Sequence, residues 1–284
     1  MFKPPSDLGP RRAAFRKLHA SGCFLIPNPW DVGTARYLRH LGFEALATTS
    51  SGFAFSLGSP DVLPRDTALH HIAEIVAATE LPVNADFQSG YADEPAGVAR
   101  NVKLCVDAGV AGLSIEDATG DRRRPLYDLQ QAVERIQAAR TSIDATGADV
   151  LLTARAECFL VGHTEPLAES IRRLQAYAAA GADVLYAPGV AEPEGIRALV
   201  NAVAPKPVNV LVSASGGLGL AQLAELGVRR VSVGSALARA AWAGFIRAAT
   251  EMSGKGTFGS LDGVTPFADL ETFFRRDQRD RLGS

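Results

Sequence analysis

The stretch Ala108-Gly109-Val110, followed by the apolar run Gly112–Ile115, joins the end of a helical pattern to the start of a short strand. Glycine suits the position just past a helix end, where the backbone often needs a positive φ. The same order of a small or apolar residue, glycine and an apolar residue recurs at Leu41-Gly42-Phe43, Ala180-Gly181-Ala182 and Leu226-Gly227-Val228. The chain is therefore predicted to repeat one helix-to-strand unit.

Reading outward from these glycines predicts eight strands separated by helical patterns. The predicted strands are Phe24–Ile26, Ala45–Thr49, Pro82–Ala85, Gly112–Ile115, Leu151–Ala154, Val184–Tyr186, Pro207–Val212 and Val231–Val233. The predicted helices lie near 31–41, 66–79, 95–108, 128–146, 165–180, 192–204, 219–226 and 235–252. Asp31 and Asp128 are expected N-caps, and Thr164-Glu165-Pro166 has the cap and early proline of a helix start.

Eight consecutive strand–helix units favour an α/β fold of the closed (β/α)8 TIM-barrel type. The alternative is an open doubly wound sheet. An open sheet of that kind usually has a glycine-rich phosphate-binding turn after its first strand. This chain has Pro27-Asn28-Pro29-Trp30 at that position.

A single domain over 1–284 is expected, with the barrel at about 20–253 and a C-terminal helical tail at about 254–284. Within the tail, four apolar residues fall at helical spacing: Phe267, Leu270, Phe273 and Phe274. Such a face has to be buried somewhere, which predicts a partner subunit.

The bulk composition indicates an ordinary globular protein. The net charge is -2, with 47% hydrophobic and 21% charged residues, so neither a nucleic-acid nor a membrane partner is expected. The three cysteines form no CxxC pair, and the start Met1–Pro5 lacks the plan of a signal peptide. A cytoplasmic location is the expectation.

Functional groups of a barrel lie just past the carboxyl ends of its strands. Asp86 and Glu116 follow neighbouring strands there, and Asp61 lies in a loop that could face them. Mg2+ is usually held by one or two carboxylates together with water and substrate oxygens. Acids at strand ends also cap helices or pair with arginine, but two on adjacent strands beside Arg155 favour a metal site.

The groups around these acids suit a 2-oxoacid. The planar guanidinium of Arg155 can donate two parallel hydrogen bonds to a carboxylate. The small residues Ser51-Gly52 can bring backbone N–H groups close to an anion. A metal on the adjacent carbonyl would stabilise an enolate. His163 is either a general acid or a neighbour of a helix cap, and Gly216–Gly219 is either a phosphate cradle or a turn.

From about residue 20 to 250 the chain resembles the isocitrate lyase/phosphoenolpyruvate mutase superfamily. The motifs that carry the resemblance are Pro27-Asn28-Pro29-Trp30-Asp31, Thr49-Ser50-Ser51-Gly52, Leu57-Gly58-Ser59-Pro60-Asp61, Asp86-Phe87-Gln88-Ser89-Gly90-Tyr91, Ser114-Ile115-Glu116-Asp117 and Thr153-Ala154-Arg155-Ala156-Glu157. Their combination in this order is specific to the superfamily and much less specific to one reaction.

The resemblance implies a (β/α)8 barrel, Mg2+ or Mn2+, a pyruvyl enolate and a homotetramer built as a dimer of dimers, often with a swapped eighth helix. It implies Asp86 as the direct metal ligand, and Glu116 and Asp61 as carboxylates that reach the metal through water. The predicted sites are therefore Asp86, Glu116, Asp61 and Gln88 for the metal; Arg155, Asp61, Glu116 and Tyr186 for catalysis; and Ser51, Gly52, Phe53, Arg155 and Asn209 for the substrate.

Four positions depart from the family pattern. Gln88 stands where a second acid usually follows strand 3, which is expected to weaken the metal site. The loop Ala118–Arg122 lacks the Lys-Cys-Gly-His type segment of isocitrate and methylisocitrate lyases, and no lysine of the mutase gating loop lies between Glu116 and Tyr127. Tyr186 stands where some relatives have histidine.

The first functional hypothesis is a Mg2+-dependent carbon–carbon lyase or decarboxylase. It would act on a small 2-hydroxy or 2-oxo di- or tricarboxylate, with the loop near 118–127 closing over the substrate and Arg122–Arg124 meeting a second carboxylate. The second is carbon–phosphorus chemistry of the mutase or phosphonopyruvate hydrolase type. The third is a barrel that binds a 2-oxoacid without turnover.

Overall fold

A computed structural model describes residues 8–60 and 63–282. Eight parallel strands form one sheet in the order β1-β8-β7-β6-β5-β4-β3-β2. They are β1 (Phe24–Ile26), β2 (Leu46–Ala47), β3 (Val83–Asp86), β4 (Gly112–Glu116), β5 (Leu151–Arg155), β6 (Val184–Tyr186), β7 (Val208–Leu211) and β8 (Arg230–Ser232). The predicted (β/α)8 barrel is confirmed.

The helices between β1 and β8 alternate with the strands and supply the outer layer of the barrel, and further helices precede β1 and follow β8 along the chain. They are α1 (Leu8–Ala20), α2 (Val32–His40), α3 (Ser50–Ser56), α4 (Arg65–Ala78), α5 (Pro95–Asp107), α6 (Leu129–Ala145), α7 (Pro166–Ala179), α8 (Pro193–Val203), α9 (Leu220–Glu225), α10 (Ala236–Lys255) and α11 (Phe267–Leu282). Among the described helices, none is long and apolar enough to cross a membrane.

The sheet closes almost completely between β1 and β2. The amide of Ala47 donates to the carbonyl of Pro27 at 3.0 Å, and the side-chain amide of Asn28 donates to the carbonyl of Thr48 at 3.0 Å. Asn28 also accepts from the amides of Val233 and Gly234 beyond β8. One asparagine therefore ties together the three strand ends at which the barrel closes.

Helix α1 covers the amino-terminal end of the barrel and was not predicted from the sequence. Its Phe15 is fully buried and lies so close to Gly112, the first residue of β4, that an added Cβ there would be 2.7 Å from the Phe15 ring. Arg11 donates to the carbonyl of Thr79 and Arg12 to that of Val110, just before β3 and β4. The end of the barrel at which the strands finish, where functional groups of this fold usually lie, is opposite to α1.

Several predicted boundaries were wrong in detail. The second strand, predicted as Ala45–Thr49, covers only Leu46–Ala47, because Thr49 is instead the N-cap of α3. Thr164 is not a cap, since Glu165 holds that position before Pro166. Asp31 and Asp128 are the N-cap residues of α2 and α6, as predicted; Asp31 forms a capping box, whereas the Asp128 side chain makes no capping hydrogen bond.

The chain divides into two compact units, the first ending at Ala236 and the second running from Leu237. The first contains all eight strands and the buried apolar core. The second contains most of α10 together with α11. In it Glu251 accepts from the Gly259 amide at 2.9 Å, which joins the end of α10 to the following turn. The predicted single domain and the swapped helix stay predictions.

Candidate active site

Four of the predicted site residues end four successive strands at one end of the barrel. Asp86 is the last residue of β3, Glu116 of β4, Arg155 of β5 and Tyr186 of β6. Glu116 is the register partner of Arg155, and Arg155 is the register partner of Tyr186. Register partners on neighbouring strands face the same side of a sheet, so the barrel brings these side chains together.

Arg155 lies at the centre of this group. Its Nη1 is 2.9 Å from Oδ1 of Asp86 and 3.2 Å from Oε2 of Glu116, and its Nε donates to Oε1 of Glu157 at 2.9 Å. Burial disfavours the charged guanidinium, but the negative charges of Glu157, Glu116 and Asp86 outweigh it and raise the pKa of Arg155 well above its ordinary value. Arg155 therefore stays a cation.

Asp86 is fixed from the side of α3. Its Oδ2 accepts from the backbone amide of Ser50 at 3.0 Å and from the Ser50 hydroxyl at 2.8 Å, and its own amide donates to Oγ1 of Thr48 at 2.9 Å. Thr48 and Ser50, which had no predicted role, thus orient the predicted metal ligand.

A buried cluster behind Glu157 supports the arginine. Asp117 accepts from the Glu157 amide at 2.8 Å, from Arg173 at 2.9 Å and from the hydroxyl of Tyr177 at 2.6 Å. Burial raises the pKa of Glu157, and the charge of Arg155 opposes that rise. Because Glu157 holds Nε of Arg155, this cluster sets the direction of the guanidinium.

The predicted substrate segment Ser51–Phe53 forms the first turn of α3. Here the Gly52 amide donates to Oγ1 of Thr49 at 3.2 Å, and the Phe53 amide donates to the Thr49 carbonyl at 3.1 Å. Both N–H groups are thus used within the helix in this conformation. Ser51 is half-buried beside them.

Gln88 adopts a left-handed backbone conformation with φ 46° and is buried next to the acids. Its carbonyl accepts from the amide of Glu116 at 2.9 Å, which ties the loop after β3 to the end of β4. Asp61, predicted as a third carboxylate of the site, lies outside the described residues.

Asn209, on β7, lies inside the barrel with 1% of its surface exposed. Its Nδ2 donates to the Ser232 hydroxyl at 3.0 Å, and its Oδ1 accepts from Nε of Arg230 at 2.8 Å. Asn209 was predicted to bind substrate, but both ends of its amide are engaged by protein groups. Tyr186 lies above it, with the Arg155 guanidinium 5.2 Å from the Tyr186 ring centre.

A cavity opens beside Asp86 between α3 and α4. Its lining includes Phe53 and His71, whose rings stack in direct contact at 3.7 Å with an interplanar angle of 5°. His71 is buried, and its Nε2 has no hydrogen-bond partner within the described ranges. From its position in a predicted helix, His71 was expected to have only a structural role.

Within residues 8–60 and 63–282, no group of three or more histidine, cysteine or acidic side chains could hold a metal ion. Two carboxylates nevertheless converge, since Asp86 and Glu116 both contact one nitrogen of Arg155. With Glu157 they carry more negative charge than one guanidinium neutralises. Oxygen donors with excess negative charge fit Mg2+, which needs only one or two protein carboxylates.

The loop after β4 folds into a small hairpin. Ala118 and Leu126 form an antiparallel bridge, and the Thr119 amide donates to the Pro125 carbonyl at 3.0 Å. The three arginines at 122–124 are exposed on this hairpin. They lie on the loop that was predicted to close over a substrate.

Solved structures share this fold over nearly the whole chain. A Burkholderia cenocepacia J2315 protein described as a lyase/mutase is 51% identical, covers 95% of this chain and 97% of its own, and superposes with a TM-score of 0.91. The structure of 2,3-dimethylmalate lyase, named as a member of the PEP mutase/isocitrate lyase superfamily, is 26% identical, with 97% of each chain covered and a TM-score of 0.83.

Named relatives are enzymes of carboxylic acids. The 2-methylisocitrate lyase of Escherichia coli K12 is 34% identical over 57% of this chain and 56% of its own. The oxaloacetate decarboxylase of Paraburkholderia xenovorans LB400 is 29% identical over 81% of this chain and 77% of its own. The family model described as phosphoenolpyruvate phosphomutase matches residues 15–253. The chain therefore belongs to the phosphoenolpyruvate mutase/isocitrate lyase superfamily and is an enzyme of its lyase type.

Proposed function

We propose that this enzyme is a Mg2+-dependent carbon–carbon lyase or decarboxylase. Its substrate is a small 2-hydroxy or 2-oxo di- or tricarboxylate, and the reaction forms a pyruvate-type enolate. The observation that carries the proposal is the contact of one guanidinium, Arg155, with the carboxylates of Asp86 and Glu116 at the mouth of the barrel. This contact places a guanidinium that can bind a substrate carboxylate beside two carboxylates that can bind a metal ion.

Arg155 binds the carboxylate end of the 2-oxoacid. Among the described residues, Glu157 contacts its Nε, and Asp86 and Glu116 contact its Nη1, so we expect Nη2 to meet a substrate oxygen. Because Glu157 is fixed in turn by Asp117, the guanidinium is oriented before a substrate arrives. Preorganised groups of this kind reduce the reorganisation that a reaction requires.

Asp86 would hold the metal directly, and Glu116 and Gln88 would reach it through water, with Asp61 completing the predicted set. When bound, Mg2+ withdraws electron density from a 2-oxo group and so favours enolate formation. Mn2+ has the same preference for oxygen donors and is the alternative ion. The amide of Gln88 accepts a hydrogen bond but brings no charge, so we expect weaker metal binding than an acid would give.

Tyr186 is the candidate proton donor for the enolate. Burial raises the pKa of Tyr186 to about 12, which keeps the hydroxyl protonated at neutral pH. It lies beside the Arg155 guanidinium, where the oxoacid would bind. The loop at 118–122 contains no cysteine to take this role.

The relatives support this substrate class. Those named 2-methylisocitrate lyase and oxaloacetate decarboxylase release their products from substrates that carry more than one carboxylate. In this chain the exposed arginines at 122–124 are suited to a second carboxylate. Carbon–phosphorus chemistry is the rival, and phosphonopyruvate therefore belongs in the substrate panel.

The second unit supports assembly into a homo-oligomer. Its exposed apolar residues include Phe245, Phe258, Phe267, Leu270 and Phe274. Isolated monomers rarely expose so many large apolar groups. We infer a dimer of dimers in the cytoplasm, where the free thiols Cys23, Cys105 and Cys158 would stay reduced.

The test is product release by purified protein with Mg2+ from oxaloacetate, methylisocitrate, 2,3-dimethylmalate and phosphonopyruvate. Coupled assays detect pyruvate or glyoxylate, and phosphorus NMR follows phosphonopyruvate. We expect pyruvate from at least one carboxylic substrate and a rate that falls with chelator. Release of phosphate or a change of phosphonopyruvate alone would instead favour the rival chemistry, and no product from the panel would contradict the proposal.

A further inference from the structure

The loop after β3 has an uncommon backbone conformation beside the proposed metal site. Apart from glycines, only Gln88 and Tyr91 among the described residues have a positive φ, of 46° and 56°. Residues other than glycine rarely adopt this conformation, and they keep it where the surrounding structure holds it in place. The contacts that hold residues 88–93, here called the metal loop, therefore determine where Gln88 lies.

Arg135, on α6, holds the backbone of the metal loop. Its guanidinium donates to the carbonyl of Ser89, to that of Ala92 and, at 2.7 Å, to that of Asp93. Arg135 is 1% exposed, so these hydrogen bonds are shielded from water. A planar guanidinium has donors on several nitrogens and can bridge carbonyls along a loop, whereas the single ammonium group of a lysine is a point charge.

Tyr127 connects the same contacts to the hairpin after β4. It directly follows residues 118–126, which form this hairpin. The centre of its ring lies 4.0 Å from the guanidinium carbon of Arg135, its hydroxyl donates to Oδ1 of Asp93 at 2.5 Å, and its amide donates to the carbonyl of Asp117 at 3.0 Å. Burial and the bond to Asp93 raise the pKa of Tyr127 to about 12, so the hydroxyl keeps the proton that it donates.

The metal loop is thus bonded to the chain on both sides of the hairpin. Before the hairpin, the Glu116 amide donates to the Gln88 carbonyl at 2.9 Å, and after it the Tyr127 hydroxyl donates to Asp93. A metal ion that fixes the side chains of Gln88 and Glu116 would therefore also restrict both ends of the hairpin. Binding that orders one part of a connected network lowers the entropic cost of ordering the rest.

We propose that Arg135 and Tyr127 are positioning residues that couple metal binding at the metal loop to the hairpin predicted to cover the substrate. The inference rests on the proposed function, in which Gln88 and Glu116 reach Mg2+ through water. Both residues act through other groups, since Arg135 maintains the loop conformation that Gln88 adopts and Tyr127 ties that loop to the end of the hairpin. Mg2+ should therefore order the hairpin before a substrate is bound.

Tyr127→Phe tests the connection between the two loops, because it removes the hydroxyl bond to Asp93 and keeps the ring over Arg135. Hydrogen exchange detected by mass spectrometry, with and without Mg2+, follows the amides of residues 118–127. We expect Mg2+ to slow this exchange by about fivefold or more in the wild type, the low end of coupling between two sites, and by less than about twofold in Tyr127→Phe.

Ser142→Ala is the matched control for the loss of one hydroxyl hydrogen bond. The Ser142 hydroxyl donates to the carbonyl of Ala99 at 2.7 Å, which joins α6 to α5 outside both loops. This variant should keep the wild-type effect of Mg2+ on residues 118–127.

Arg135→Lys tests the hold on the metal loop, because lysine keeps the charge but lacks the planar guanidinium. We expect the calorimetric Kd for Mg2+ to rise by about tenfold, the low end of the loss when a group that orients a metal ligand is removed. A merely structural role predicts a lower Tm with an unchanged Kd. Arg140→Lys is the control, since Arg140 lies on the same helix and pairs at 2.9 Å with Asp183, directly before β6.

The outcomes separate this inference from the proposed function. An equal Mg2+ effect on the hairpin in Tyr127→Phe and wild type, or an unchanged Mg2+ Kd in Arg135→Lys, would overturn the coupling and leave the proposed function in place. Wild-type protein that shows the coupling but releases no product would overturn the proposed function and leave the coupling in place. A wild type that does not bind Mg2+ would overturn both.

Discussion

Nη1 of Arg155 lies 2.9 Å from Oδ1 of Asp86, so the residue expected to bind the substrate is paired with the residue expected to bind the metal. Each side chain therefore already has a partner of opposite charge. A cation that binds Asp86 competes with the guanidinium for the carboxylate and, once bound, leaves Nη1 available to a substrate oxygen. Metal binding and substrate binding are therefore expected to be coupled.

The first prediction follows from this competition. In Arg155→Gln the carboxylates of Asp86, Glu116 and Glu157 lose their common partner, which leaves buried negative charge uncompensated. We expect the variant to be destabilised by about 3 kcal/mol or more without metal. Added Mg2+ should raise its Tm by more than it raises that of the wild type, while oxalate binding is lost.

Thermal unfolding with and without Mg2+, and calorimetric titration of oxalate, check both parts. Asp86→Asn is the opposing variant, because it removes the direct ligand and should abolish the Mg2+ response. Asp66→Asn is the control for charge alone, since the Asp66 side chain is 80% exposed on α4. An equal Tm shift in Arg155→Gln and wild type would contradict the competition.

Gln88→Asp is expected to strengthen the metal site. Gln88 has φ 46°, a left-handed conformation that aspartate tolerates better than most residues, so the backbone should accept the change. The added charge would lie beside Asp86 and Glu116 and should lower the Mg2+ Kd by about tenfold, which equals about 1.4 kcal/mol. Calorimetry measures the Kd, and Gln130→Glu on the exposed side of α6 gives the control. If Mg2+ bound more weakly to Gln88→Asp than to the wild type, the prediction would be wrong. The Gln88 side-chain amide would then be needed to hold the conformation of the loop after β3.

The strands and the acids at their ends could be predicted because both depend on local sequence. A buried parallel strand is a short apolar run, and its last residues fall at the functional end of a barrel wherever the strand is packed. This logic located Asp86, Glu116 and Arg155 correctly at strand ends. It also explains the misplaced end of the second strand, where Thr49 favours a helix cap and the chain turns into α3.

The supporting contacts could not be predicted in the same way. Asp117 meets Arg173 and Tyr177 across 56 and 60 residues of chain, and no local pattern marks such a pair. In helix α1 only Phe15 and His19 are buried. Two buried positions make too narrow an apolar stripe for the helix to be recognised from the sequence. Asn209 was predicted to bind substrate, and its hydrogen bonds to Ser232 and Arg230 inside the barrel could not be predicted from its position on a strand.

The buried ion pair behind the site should matter more for stability than a neighbouring exposed one. Arg173 is 6% exposed and meets Asp117 at 2.9 Å, so Arg173→Met would leave a buried carboxylate with one partner fewer and should cost about 3–5 kcal/mol. Arg172 is the matched control, because it is 58% exposed and pairs with Glu169 on the same helix. Arg172→Met should change stability by less than about 1 kcal/mol.

Urea unfolding at pH 7 measures both variants. A secondary expectation is that Arg173→Met also lowers kcat, since Asp117 holds the Glu157 amide at 2.8 Å and Glu157 orients Arg155. Equal destabilisation by the two substitutions would mean that water replaces the Arg173 contact.

His71 should make the protein sensitive to mild acid. Burial lowers the pKa of His71 to about 4, whereas an unfolded histidine titrates near 6.5. A group with a depressed folded pKa contributes stability above its unfolded pKa and loses it as the pH falls toward the folded value. Between pH 7 and pH 5 this residue should therefore remove about 2 kcal/mol from the free energy of unfolding.

His71→Phe keeps an aromatic ring against Phe53, with which His71 stacks at 3.7 Å, and removes the titrating nitrogen. We expect its stability to fall by about 2 kcal/mol less than that of the wild type from pH 7 to pH 5, as measured by urea unfolding at both values. His70→Phe is the control for placing a phenylalanine on the same helix, because the His70 side chain is 62% exposed. Equal losses of stability in His71→Phe and the wild type over this interval would contradict the prediction. The imidazole would then gain a proton in the folded protein as readily as in the unfolded chain, although its Nε2 is buried and has no hydrogen-bond partner among residues 8–60 and 63–282.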